Sequence, residues 1–151
     1  MKRYLVVGMA RSGVAAALLL AKKGFQVRIN DSKPLGELGE ALDCLKGYEN
    51  VEWRLGMPAV EAMDGVDEMI VSPGISVESA PVKAAEEKGI AVTGELELGY
   101  RMTRGDLLAI TGTNGKTTTT TLLGEIMKNA GKTTHVVGNI GIPYTSVAFD
   151  S

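Results

Sequence analysis

Cysteine, histidine and tryptophan each occur once in 151 residues, as Cys44, His135 and Trp53, and aromatic residues make up only 5% of the chain. A single thiol excludes both an internal disulfide and a cysteine-cluster metal site, and it fits a reducing cytoplasm. Its plainest reading is a part-buried structural cysteine. Charge of neither sign prevails, with 16 basic and 18 acidic residues. Nothing is basic enough to track a phosphate backbone, so no nucleic-acid partner is expected. No apolar run approaches the roughly 18 residues of a membrane span. The opening "MKRYLVVGMARSG" is not a secretory signal, because Gly8 and Arg11 interrupt its short apolar run. A cytoplasmic protein without a membrane partner is therefore expected. Repeats and low-complexity linkers are also absent. What is present is an ordinary globular composition, 44% apolar and 23% charged, long enough to bury a core.

Apolar, β-branched segments alternate with helical patterns along the chain. Strands are expected at 3–8, at "FQVRIN" (25–30), at "VEWR" (51–54), at "DEMIVS" (67–72) and at "IAVT" (90–93). Helices are expected at 13–24 and 80–88, the first closed by Gly24, and 35–46 is a helix-compatible segment. Such a βαβ series implies a parallel sheet covered on both faces. A polar stretch at 94–105 holds at most a short helix, and there we place a boundary. The pattern then restarts with a strand at 107–111, a helix at about 116–130 and a strand at 134–138. The fold class is thus α/β: a Rossmann-like parallel sheet domain at 1–93, followed at 94–151 by the opening β-α-β part of a P-loop ATPase-like central domain.

Two glycine turns sit between strand and helix. In "GMARSG", Gly8 permits a tight turn, small Ala10 lets a ligand approach the backbone, and Gly13 lets the helix pack against the sheet. A diphosphate would rest on the helix N-terminus, where unpaired N–H groups and the helix dipole favour negative charge. Asp31, ending the second strand, is placed to accept hydrogen bonds from a ribose or base. In "GTNGKTT", Gly112 and Gly115 free successive backbone amides for phosphate oxygens, and Lys116 brings a mobile positive charge. The Thr117 hydroxyl is placed to ligate Mg²⁺. Ile110 stands where the usual phosphate loop has its first glycine, so the loop is short. ATP is the expected ligand of this second turn, and two turns of different kind point to two ligands and an ATP-driven group transfer.

Other residues take plainer readings. His135 is structural or solvent-facing, Trp53 packs on the first sheet, and "AAEEKG" (84–89) is a solvated helix face with a glycine cap. The threonines after Thr118 pack or bond locally to the backbone.

Taken together, "VVGMARSGVAAA", Asp31 followed closely by Pro34, "IVSPGI", "GELEL", "ITGTNGKTTTTTLLGEI" and "GNIGIP" resemble the Mur ligase family of peptidoglycan precursor synthesis, and within it the MurD type. Ile110 is then that family's form of the loop. The resemblance implies an enzyme of cell-wall biogenesis that joins D-glutamate to UDP-N-acetylmuramoyl-L-alanine. The alanine carboxylate attacks the γ-phosphate of ATP, and the amine of D-glutamate then displaces phosphate from the acyl phosphate. It further implies that Gly112, Thr113, Asn114, Gly115, Lys116, Thr117 and Thr118 bind ATP. Of these, Lys116 and Thr117 serve catalysis, and Thr117 the metal. Gly8, Arg11, Ser12 and Gly13 would hold the substrate's diphosphate, Asp31, Ser32 and Lys33 would surround uracil and ribose, Gly74 would lie near the nucleotide, and Asn139 would meet the muramoyl part. Arg11 stands where some relatives carry an apolar residue, and its plainer reading is a solvated side chain. The family's remaining Mg²⁺, lysine and D-glutamate elements do not follow Ser151, so a truncated product or proteolytic fragment is expected, incapable of ligation alone. Two alternatives stay open: a non-catalytic uridine-nucleotide-binding module, and an NAD-binding oxidoreductase fragment. Exposed sheet edges make self-association an option.

Overall fold

The computed structural model describes residues 1–138 and 141–149. Five parallel strands form one sheet: β1 (Arg3–Val7), β2 (Gln26–Asp31), β3 (Val51–Leu55), β4 (Glu68–Val71) and β5 (Ala91–Gly94), in the order β3-β2-β1-β4-β5. Around them lie α1 (Arg11–Lys22), α2 (Leu35–Leu38), α3 (Ala80–Glu87), α4 (Glu95–Met102) and α5 (Lys116–Asn129), with 3-10 segments at Gly39–Leu45, Ala59–Ala62 and Tyr144–Ser146. The period-2 alternation of a strand divides the core: Tyr4 and Val6 of β1 face one side, Leu5 and Val7 the other. On the first side Ala16, Ala17 and Leu20 of α1 meet Ile29, Leu42 and Leu45, with Leu98 of α4. On the second, Met63, Met69, Val82 and Ile90 pack together. Small alanines let α1 lie close to the sheet. The chain returns from one edge of the sheet to its middle between β3 and β4, which puts the topological switch point at the carboxyl ends of β1 and β4.

Buried Glu68, at the start of β4, ties α4 to this sheet. It accepts hydrogen bonds from Lys2 at 2.5 Å, from Arg101 of α4 at 2.8 Å, and from the Thr93 hydroxyl. Burial pushes its carboxyl up, but the hydrogen bonds of Lys2 and Thr93 and the charges of Lys2 and Arg101 outweigh burial and hold it below the usual carboxylate value.

Beyond α4 the expected β-α-β unit keeps only its helix. Residues 107–111 and 134–138 are not strands, a correction with a simple cause: a strand is stable only when neighbours satisfy its ladder, and among the described residues neither segment has a strand partner. Leu107, Leu108, Leu122 and Ile126 stay exposed as a result. The 134–138 segment instead crosses α5 at Gly124, where an added Cβ would lie 2.5 Å from Val136 Cγ2. Cys44 is also exposed rather than part-buried, because its 3-10 segment turns Leu42 and Leu45 inward. Trp53 packs on the core, and His135 faces solvent.

Candidate functional site

The first glycine turn lies at the switch point, and its geometry is set by clashes that only glycine avoids. Gly8 adopts φ +87° and donates its N–H to the Asn30 carbonyl at 2.8 Å. A Cβ on Gly13 would stand 1.7 Å from the Gly8 carbonyl oxygen. The first turn of α1 therefore presses directly on the strand's exit. No side chain caps α1, and its first helical bond runs from Val14 N–H to the Ala10 carbonyl at 3.0 Å. The amides of Arg11, Ser12 and Gly13 thus have no helical partner, and they carry the positive end of the helix dipole.

Asp31 holds this turn in place. Its carboxylate accepts the Met9 N–H at 2.8 Å and the Lys33 N–H at 2.9 Å, joining the turn after β1 to the loop after β2. Each carboxylate oxygen keeps a second acceptor direction for a ligand. Ser32 and Lys33 stand exposed on that loop. Asn30, buried beside Asp31, donates to the Arg54 and Met57 carbonyls and so brings the 56–58 loop to the same end of the sheet. Gly74 sits in the turn closed by Ile75 N–H to the Ser72 carbonyl at 3.0 Å, and Ser72 and Ile75 both approach Gly8. A cleft of about 270 Å³ opens among Gly8, Asp31, Ser32, Met57 and Ile75.

The second turn is a separate, exposed loop. Gly115 takes φ +77° and directly precedes α5, whose first helical bond is Thr119 N–H to the Gly115 carbonyl at 3.0 Å. The amides of Lys116, Thr117 and Thr118 have no helical partner as a result. The Lys116 ammonium folds back to donate to the Gly112 carbonyl, and Thr120 Oγ1 donates to the Lys116 carbonyl at 2.6 Å, the local bonding expected of the later threonines.

The Mur ligase MurD-like N-terminal domain model matches residues 2–94, and the Mur ligase middle domain model matches residues 110–149. The chain belongs to the MurD-like Mur ligases. It is 43% identical over 152 residues to the UDP-N-acetylmuramoylalanine--D-glutamate ligase of Alkaliphilus metalliredigens, a match covering 99% of this chain and 33% of the relative. It is 50% identical over 143 residues to the same-named ligase of Pelotomaculum thermopropionicum, covering 94% of this chain and 31% of the relative. The chain thus spans about a third of the length of the curated relatives it matches. Two solved structures share the fold. They are a pseudomurein peptide ligase type C from Methanothermus fervidus (TM-score 0.55) and a murein peptide ligase from Psychrobacter arcticus (TM-score 0.57). Each is 22% identical, and each match covers 87% of this chain and 27% of the other.

In this MurD-like chain the eight described residues expected at a substrate turn gather around the carboxyl ends of β1, β2 and β4. The seven expected at ATP form the second loop and the first turn of α5. Asn139 lies outside the described residues. Arg11 is more than a solvated cation: its guanidinium donates to the Gly141 carbonyl. Glu95, part of "GELEL" but without a role read from the sequence, is buried at the start of α4 and accepts the Thr145 N–H at 2.8 Å and the Thr145 hydroxyl at 2.7 Å. The signal in the sequence was a glutamate opening a helix right after a strand, which looks like an ordinary first-turn acid. Among the described residues no cluster of His, Cys, Asp or Glu is arranged for a metal ion, and no helix is long and apolar enough to cross a membrane.

Proposed function

We propose that this chain carries the two nucleotide corners of an ATP-dependent ligase that joins D-glutamate to UDP-N-acetylmuramoyl-L-alanine in the cytoplasm. In this reading 1–93 is the substrate domain and 94–151 the start of the ATP domain. The supporting observation is the pairing, in one MurD-like chain, of two glycine turns that each open a helix with unpaired amides, the first at the exit of β1 and the second ahead of α5, with different chemistry beside them. The first offers Asp31 and a cleft of nucleoside size; the second offers an ammonium and a hydroxyl.

At the first corner the amides of Arg11, Ser12 and Gly13 hold the diphosphate, and Asp31, Ser32 and Lys33 receive the nucleoside in the cleft beside Ile75 and Gly74. Asn139 is assigned to the muramoyl end by the resemblance alone. At the second, the amides of 112–118, Gly112 to Thr118, cradle the ATP phosphates. Lys116 exchanges its internal bond to Gly112 for a phosphoryl oxygen, neutralising the charge that builds as the substrate carboxylate attacks. The donor set fits magnesium, since Thr117 supplies a hard oxygen and phosphates supply the rest. Bound Mg²⁺ contributes alignment of the phosphates and charge neutralisation; the chain's own part is to orient and to hold. An acyl phosphate and then an amide bond complete the reaction, with D-glutamate bound by elements beyond the segment matched here.

A second reading, a uridine-nucleotide-binding module without catalysis, is favoured by one observation: the second loop has no sheet behind it among the described residues, and Leu107, Leu108, Leu122 and Ile126 are exposed around it. Calorimetric titration with UDP-N-acetylmuramoyl-L-alanine, Mg-ATP and NAD in turn separates the readings. Binding of the first two supports the ligase corners, binding of the first alone supports the module, and preference for NAD refutes both.

A further inference from the structure

Residues 141–149 run back along the first unit and are fastened to it at three points. Arg11, in the first turn of α1, donates to the Gly141 carbonyl. Glu95 accepts two hydrogen bonds from Thr145. The Phe149 ring lies 5.2 Å from Lys22 Nζ and 5.6 Å from Lys23 Nζ, at the far end of α1. Only the middle fastening is buried: Glu95 is 6% and Thr145 1% exposed. Beside it the Tyr144 ring occupies the space above Gly99, where an added Cβ would lie 2.7 Å from Tyr144 Cδ1. A carboxylate taken out of water needs such donors.

This latch bears on ligand binding through Arg11. Two cavities flank the first turn of α1. One is the cleft by Asp31 and Ile75, assigned above to the nucleoside. The other, of about 610 Å³, lies between Ala10 and Arg11 on one side and Ile142, Pro143 and Thr145 on the other, beside the Arg11–Gly141 bridge, so a group linked to the outer phosphate would meet the segment that Glu95 holds. We propose that Glu95 and Thr145 are positioning residues that fix residues 141–149 beside the diphosphate turn and so set affinity for the sugar side of a nucleoside-diphosphate sugar, leaving the nucleoside side alone. This inference rests on the ligand assigned above to the first corner.

The test uses the whole chain with Glu95→Ala, and with Thr145→Val as a milder variant that keeps the buried carboxylate and its backbone donor. UDP and UDP-N-acetylmuramoyl-L-alanine are titrated calorimetrically, and hydrogen exchange is followed in peptides covering 141–149 and β1. The expected result for Glu95→Ala is about tenfold weaker binding of the UDP-sugar, UDP affinity within about twofold, and faster exchange in 141–149 with β1 unchanged. Thr145→Val moves the same quantities in the same direction, by about threefold. Unchanged exchange in 141–149, or an equal loss for UDP and the UDP-sugar, overturns the latch while leaving the first-corner assignment intact. A wild-type chain that binds neither compound overturns both.

Discussion

Replacing Gly13 by alanine adds a single methyl group at the point where α1 presses on the exit of β1. The added carbon would lie 1.7 Å from the Gly8 carbonyl oxygen and 2.9 Å from its carbon. Both are backbone atoms, so no side chain is free to turn away. Gly8 cannot retreat easily, since its N–H is bonded to Asn30 and the neighbouring Met9 N–H to Asp31. Restoring ordinary van der Waals distance requires the helix and strand to part by at least about 1.7 Å, which places the change at the upper end of overpacking, about 3 kcal/mol. For a chain of this size that corresponds to a fall in Tm of about 10 °C. Urea unfolding followed by the fluorescence of Trp53, the one tryptophan and packed on the core, reads the effect as a lower midpoint at unchanged slope. Gly36→Ala is the control: an added Cβ there meets nothing within 4 Å, so a change within about 1 kcal/mol, stabilising if anything, is expected. Were Gly13→Ala as stable as Gly36→Ala, the close contact between helix and strand would not exist, and the reason given for glycine at this turn would fail.

Three further outcomes are expected. Asp31→Asn replaces one acceptor oxygen by an NH₂ group facing a backbone N–H, so stability falls by about 1–3 kcal/mol and UDP binding weakens with it; full UDP affinity in calorimetry would count against the clamp between the two loops. Glu68 has a carboxyl held below its ordinary 4.5, so its network stabilises the fold above that pH, and the contribution is lost as pH falls through the lower folded-state value. Thermal melts from about pH 7 to about pH 3 should show Glu68→Gln starting lower but losing less on acidification than the wild type, and parallel curves would refute the assignment. Lys116→Ala removes an exposed side chain whose one hydrogen bond stays within its own loop, so stability changes by less than about 0.5 kcal/mol while Mg-ATP binding in calorimetry is lost.

Local rules made much of the molecule legible. The alternation of Tyr4 and Val6 with Leu5 and Val7, the glycines closing α1 and α3, and the "GMARSG" and "GTNGKTT" turns are all short-range features, and each appears where the sequence puts it. They determined a parallel α/β unit with a glycine turn at its switch point, and a second glycine turn opening α5. Tertiary structure decided what depends on partners far along the chain. Strand pairing is one example: 107–111 and 134–138 have the composition of strands, but a ladder needs neighbours and among the described residues neither segment has one. Side-chain role is another. Asp31 reads as a ligand contact and is bonded to Met9 and Lys33, and Glu95, given no role of its own in the sequence, meets Thr145 fifty residues on. A residue type fixes what bonds a side chain is able to make, and only the folded chain fixes which groups stand within reach.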